Sequence, residues 1–461
     1  MIDRAVPDPV LAEPVVPDST GLAAPTGLTE PTGLTEPTGP TEPAVMTESA
    51  ASGQPLPGPT LADFEAARER LHGIVQETPM ERSRYLSGML GAEVLLKCEN
   101  LQRTGAYKIR GAYNMLSLLD DDQRARGVVA ASAGNHAQGV AFSATELGIR
   151  STIFMPVGVA LPKLQATRDY GAAVELRGAD FQTALAAAIE HVERTGATFV
   201  PPYDHADIIA GQGTVGLEIL EQVPDVATIV VPLGGGGLAA GVASAVRQRT
   251  ALDGRRVRIV GVQAERAASF VDSLAAGEPT TIVTRPTIAD GIAVARPGTL
   301  PFEIVREAVD EIVTVSDDDI ARAMIVLLER AKLVVEPSGA VTTAAIMTGL
   351  VTSDGPTVAV LSGGNIDPLF MERVIARGLA ASQRYLKVRM ALPDRPGQLA
   401  IIAQIVSDEQ ANVVEVLHTQ HDAWTSITDV SIDISVTTRG PEHAQRVLEA
   451  LRRAGYEPQV L

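Results

Sequence analysis

The sequence predicts an α/β protein: two open, twisted sheet domains of parallel strands, followed by a smaller ferredoxin-like βαββαβ module. Three observations lead there. From about Leu61, short β-branched runs alternate with longer Ala/Leu-rich segments at helical period. Glycine-rich turns stand where several of those runs give way to helices. After about Ser382 the order changes to strand, helix, strand, strand, helix, strand.

The 461 residues are 45% hydrophobic and 20% charged, enough apolar material for two or three cores. Residues 1–59 differ from the rest. They hold 12 of the 30 prolines and set eight acids against the single base Arg4, so they carry −7 of the net −18. Two PTGLTE repeats and one PTGPTE run from Pro25 to Glu42. A six-residue period of Pro, Thr, Gly and Glu buries no face and continues no helix, so an acidic, disordered Pro/Thr/Gly-rich tail is expected over 1–59. Its acidity and the lack of an unbroken apolar run exclude signal and transit peptides, and no stretch reaches the length of a membrane span. The single cysteine, Cys98, can form no internal disulfide, which suits a reducing cytoplasm. The acidic balance argues against nucleic acid or an anionic membrane as partner.

The first α/β block reads as a strand at 128–131, a glycine turn and helix to Leu147, a strand at 152–154, a helix at 162–170 and a strand at 173–176. Asp180 is placed to cap a helix whose apolar positions Phe181, Leu185, Ile189 and Val192 recur every three or four residues. A second block offers strands at 228–232, 258–263, 311–315 and 358–361, with helices at 238–249, 317–331 and 367–380. The module at 384–461 supplies a strand at 385–392, a helix at 398–408, strands at 412–419 and 427–437, a helix at 441–454 and a terminal strand. In open parallel sheets, ligands bind at the carboxyl ends of the strands.

Two segments carry the chemistry. Gly234, Gly235, Gly236 and Gly237 follow a strand and precede a helix, so their N–H groups and the helix terminus suit a phosphate. Neither the dinucleotide fingerprint nor the P-loop lysine is present. In Glu99-Asn-Leu-Gln-Arg-Thr-Gly-Ala-Tyr-Lys108-Ile-Arg-Gly-Ala112, small and apolar neighbours surround a lysine whose amine can there lose its proton and act as a nucleophile.

With these motifs, residues 61–383 resemble the tryptophan-synthase-β-like, fold-type II pyridoxal-phosphate enzymes, in particular the threonine ammonia-lyases and the related serine dehydratases and serine racemases. The resemblance implies a catalytic region over 60–383, with a smaller subdomain at about 97–200 inserted in a larger one. It implies pyridoxal 5'-phosphate as cofactor and Lys108 as the Schiff-base lysine and Cα base. Ser132-Ala133-Gly134-Asn135-His136 matches the loop that receives the substrate carboxylate and whose asparagine touches the cofactor ring. Gly234 to Gly237 match the phosphate loop, Glu336 a glutamate near the ring, and Ser362 the partner of the pyridine nitrogen. A hydroxyl there leaves that nitrogen neutral, which favours prompt β-elimination over transamination.

Ala133 stands where the racemases carry a second serine as acid/base on the opposite face, so dehydration is expected over racemisation. His136 reads as a structural hydrogen-bonding residue and Cys98 as a core residue. Relatives bind a divalent cation just after a strand; Glu265 fits one ligand, but the aligned second position is Val271, with Asp272 beside it. His421 and Trp424 have no assigned role.

Asp394-Arg-Pro-Gly397-Gln-Leu399 resembles the signature of ACT domains, amino-acid-sensing modules of metabolic enzymes. Gly397 admits a small ligand at a helix start, and Leu399, Ile402 and Ile405 read as core. The resemblance as a whole implies a cytoplasmic homo-oligomer, a dimer or tetramer. It would convert threonine to 2-oxobutanoate and ammonia and serine to pyruvate, with isoleucine or valine as effector at the ACT module. The alternatives are a serine dehydratase or racemase of the same fold and a non-catalytic ACT-type sensor.

Overall fold

The computed structural model describes residues 44–45, 56–420 and 429–461. A seven-stranded sheet runs in the spatial order Ala44–Val45, Glu311–Val315, Arg258–Ala264, Thr228–Pro232, Thr357–Val360, Val94–Lys97 and Met80–Arg82. Its five central strands are parallel, and the two edge strands are antiparallel. Every residue of Thr228–Pro232 and Thr357–Val360 is buried, as expected of strands covered by helices on both faces. Apolar clusters fill the two sides: Val230, Val260 and Ala359 on one, Ile229, Val231, Ile259 and Val358 on the other.

A second, four-stranded parallel sheet has the order Ala173–Leu176, Ser151–Met155, Val128–Ala131 and Thr198–Phe199. It lies between strands Val94–Lys97 and Thr228–Pro232 in sequence, so it is an insertion in the larger sheet unit. The expected helix after Asp180 forms as Phe181–Thr195, with the aspartate accepting from Thr183 N at 2.8 Å. Its buried face keeps Leu185 and Val192 of the expected set, partly buried against the cluster of Val129, Ala131 and Phe154. Ala184 and Ala188 are fully buried, whereas Phe181 and Ile189 are exposed, because small side chains let the helix lie close on Val129, Ala131 and Phe154.

The C-terminal module is the expected βαββαβ unit, its strands Asn412–Thr419, Asp429–Thr437, Tyr385–Pro393 and Gln459–Val460 in that spatial order, all antiparallel. Helices Gln398–Asp408 and Pro441–Arg453 share a core with Val388, Met390, Ile432 and Ile434. Ile402 and Val406 are buried and Ile405 is partly buried, but Leu399, expected in the core, is 48% exposed. The buried stripe begins one turn later than the periodicity suggested. Within the segment read as a disordered tail, Ala44–Val45 pairs with Glu311 and Ile312. The repeats, His421 and Trp424 lie outside the described residues.

Candidate active site

Lys108 opens the helix Lys108–Ser117, and its amine donates to the Pro202 carbonyl at 2.8 Å. Burial lowers its pKa to about 8, against the opposing pull of Glu336. The strand Val94–Lys97 leads into the lysine loop and its neighbour Thr357–Val360 leads into Ser362, so the two loops leave adjacent strand ends. They are then stitched together. Tyr107 N donates to Ser362 O at 3.1 Å, Gly364 N to Gly105 O at 2.9 Å, and Ala106 pairs with Gly363. Thr104 takes φ 63°, a left-handed conformation costly for a β-branched residue, while the Asn365 amide donates to its carbonyl at 2.6 Å.

Asn135 begins the helix Asn135–Glu146, which has no side-chain cap and so leaves its first N–H groups open toward an anion. The Asn135 amide donates to Glu336 Oε1 at 2.7 Å and its oxygen accepts from Asn365 Nδ2 at 2.9 Å. Burial, followed by the negative charge of Asp290, raises the Glu336 carboxyl to about 8. Ser132 Oγ accepts from Gly134 N at 3.2 Å, fixing the turn before the helix. His136 Nε2 meets Val200 O at 2.8 Å, and burial, with the nearby Lys108 charge, lowers the imidazole to about 3. Ser362 is 3% exposed.

The glycine run connects the buried strand Thr228–Pro232 to the helix Gly237–Ala251. Gly236 has φ +99°, which an L side chain rarely adopts, and the Tyr203 ring occupies the place of a side chain at Gly235. The segment before the helix Ala206–Gln222 therefore reaches two parts of the site: Pro202 meets the lysine and Tyr203 the glycine loop. Asp204 adds bonds to the N–H groups of Thr299 and Leu300 at 2.9 and 3.0 Å, and Gly298 N donates to Gly235 O at 3.1 Å.

Beneath the lysine helix lies a buried quartet. Arg110 grips Glu99 through Nε and Nη2, both at 2.8 Å, and Glu218 through Nη1 at 2.5 Å. Lys97 Nζ reaches Glu218 at 2.7 Å. Burial alone would raise the Glu99 carboxyl, yet the Arg110 guanidinium holds it below its ordinary value. Sequence reasoning missed this quartet, along with Pro202, Tyr203, Asp204 and the bridging role of Asn365.

Other predicted residues lie elsewhere. Glu265 follows the strand Arg258–Ala264, 48% exposed at its side chain, with Arg285 Nη2 at 4.0 Å. Among the described residues, no three His, Cys, Asp or Glu side chains group as metal ligands. Cys98 is fully buried, and burial raises its thiol to about 12. Asp394, Gly397 and Leu399 belong to the C-terminal module, Gly397 with φ +95° at the helix start.

A buried amine of depressed basicity, a glycine cradle at a helix N-terminus and a neutral hydrogen-bonding set around them fit a phosphorylated aldehyde cofactor. The family of pyridoxal-phosphate dependent enzymes matches residues 71–363. The chain belongs to that family. It has the family's tryptophan-synthase-β-like, fold-type II architecture, and its cofactor is pyridoxal phosphate. The L-threonine ammonia-lyase of Geobacter sulfurreducens is 47% identical over 399 residues, covering 86% of this chain and 98% of that protein. The L-threonine ammonia-lyase of Thermotoga maritima is 43% identical over 402 residues, 87% and 99% of the two chains. Among solved structures, the processed form of threonine deaminase isoform 2 from Solanum lycopersicum superposes with a TM-score of 0.67 at 33% identity, covering 74% of this chain and 98% of that one. Maize serine racemase gives 0.63 at 35% identity, over 70% and 98%.

Proposed function

We propose that the protein is a threonine ammonia-lyase, converting L-threonine to 2-oxobutanoate and ammonia and L-serine to pyruvate and ammonia. The observation that carries this reading is the Lys108 amine, buried, lowered to about 8 and held by the Pro202 carbonyl in a chain with threonine ammonia-lyases among its relatives. Pyridoxal phosphate, when bound, supplies the electron sink that makes the substrate's Cα–H acidic. Lys108 would hold the cofactor and, as a free amine, would take the Cα proton. Gly234 to Gly237 would receive the phosphate, and the Ser362 hydroxyl would serve the ring nitrogen. Asn135 is set by Glu336 and Asn365 to touch the ring hydroxyl. In the loop Ser132 to His136, Ser132 N already donates to Phe154 O at 3.1 Å and Gly134 N to Ser132 Oγ, so the N–H groups of Ala133, Asn135 and His136 are those that would receive the substrate carboxylate.

Serine racemase is the competing reading, supported by the likeness to the maize enzyme. Ala133 offers no hydroxyl to return a proton from the opposite face, which favours elimination.

Residues 60–383 act as the catalytic region, and 384–461 as an ACT-like regulatory domain taking isoleucine or valine near Asp394, Gly397 and Leu399. The enzyme works in the cytoplasm as a homo-oligomer; no helix among the described residues is long and apolar enough to cross a membrane.

The test is 2-oxo acid release from threonine and serine in parallel, with D-serine measured alongside and isoleucine or valine added in turn. Faster release from threonine without D-serine supports the reading. D-serine as the main product, or binding of amino acids without turnover, would replace it. A rate unchanged over a wide isoleucine and valine titration removes the effector assignment.

A further inference from the structure

The four glycines of the phosphate loop carry no side-chain donor, so any such donor must come from a neighbouring element. One side chain is placed to supply it. Gln212 lies in the helix Ala206–Gln222 and is 1% exposed, and its Oε1 is buried with no hydrogen-bond partner among the described residues. Two glycines make room for it. A Cβ at Gly237 would stand 2.6 Å from Gln212 Oε1, and one at Gly111 would stand 3.1 Å from both Cγ and Nε2. Gly237 opens the helix after the phosphate loop, and Gly111 lies in the helix that Lys108 opens. The carboxamide thus fills a slot between the two elements that would hold the cofactor's ends.

If packing were the only demand, a leucine or methionine would fill that slot without burying an unpaired polar atom. A half-turn of the carboxamide exchanges its oxygen and nitrogen with no steric change and turns an N–H toward Gly237. We propose that Gln212 is a phosphate ligand, donating from Nε2 to the phosphate group received at the glycine loop. This rests on the pyridoxal-phosphate reading of the site. It makes Gln212 a binding residue with no part in proton transfer.

The test uses the full chain, freed of bound cofactor and titrated with pyridoxal 5'-phosphate and, separately, with pyridoxal, which has the aldehyde but no phosphate. Binding is read from the visible absorbance of the lysine linkage and from the rise in melting temperature. Gln212→Glu, which sets a carboxylate against the phosphate, is expected to weaken pyridoxal phosphate about 10- to 100-fold. Gln212→Leu, which keeps the bulk and guards against misfolding of the first variant, is expected to weaken it about tenfold. Pyridoxal binding should stay as in the wild type for both. Equal weakening of the two ligands, or unchanged pyridoxal phosphate binding in both variants, would overturn the proposal. A wild-type chain that binds neither ligand would instead overturn the reading of the site itself.

Discussion

The Asn135 amide donates to the Glu336 carboxyl across 201 residues of chain. Because burial, then Asp290, raises that carboxyl from 4.5 to about 8, it is neutral at pH 7 and accepts as a protonated acid. Glu336→Gln keeps a neutral acceptor and is expected to keep most of the turnover, while Glu336→Ala should lose about tenfold. A raised folded pKa contributes stability below 4.5 that is lost as pH rises to about 8. The urea midpoint of the Gln variant should therefore gain on the wild type through that window and level off above it.

Lys108→Ala removes both the cofactor's anchor and the base. Turnover should fall by roughly 10²- to 10⁴-fold, with loss of the visible absorbance in the same preparation. Retained colour with retained turnover would show that another amine does the work.

His136 shows the opposite pH linkage. Its folded value of about 3 lies below 6.5, so between those limits the unfolded chain binds a proton that the folded chain refuses. Stability is full above about 6.5 and declines as pH falls. His136→Gln, which keeps a donor for Val200 O, should reduce the acid slope of unfolding free energy by about one proton, read from urea curves between pH 4 and 7.

Arg110→Met strands Glu99 as a buried carboxylate without its cation and leaves Glu218 with Lys97 alone, with an expected loss of about 3–5 kcal/mol in chemical denaturation. Thr214→Val removes only the 3.2 Å contact to Nη1 and its bond to Gly211 O, and should cost about 1 kcal/mol. Similar losses from both variants would mean that the quartet contributes little beyond its packing.

Much of the fold could be read in advance because buried parallel strands are short β-branched runs and their helices follow 3.6-residue spacing. Val128–Ala131 and Gln398–Asp408 fall where the pattern puts them. Lys108 stood out as a candidate for its small and apolar neighbours, whereas Asn135 and Ser362 became candidates through the resemblance of their segments to the family's motifs. Pro202 was not, since its contribution is a backbone carbonyl that any residue could offer. The quartet was hidden because a lysine or glutamate in sequence reads as a solvated charge until its partner, more than a hundred positions away, is known. Leu399 and Phe181 show the limit of periodicity, which marks a face but not where its burial begins.

The pairing of Val94–Lys97 with Thr357–Val360 sets an order of events during synthesis. The lysine loop leaves the ribosome early, yet the strand beside it, and Asn365, which grips Thr104 from 261 residues away, emerge near the end of the catalytic region. The apolar flank of Val94–Lys97 must wait for that partner, and long-range parallel pairing of this kind is slow and exposed to aggregation. Nascent chains stalled before residue 357 should therefore depend on chaperones and be unable to retain pyridoxal phosphate.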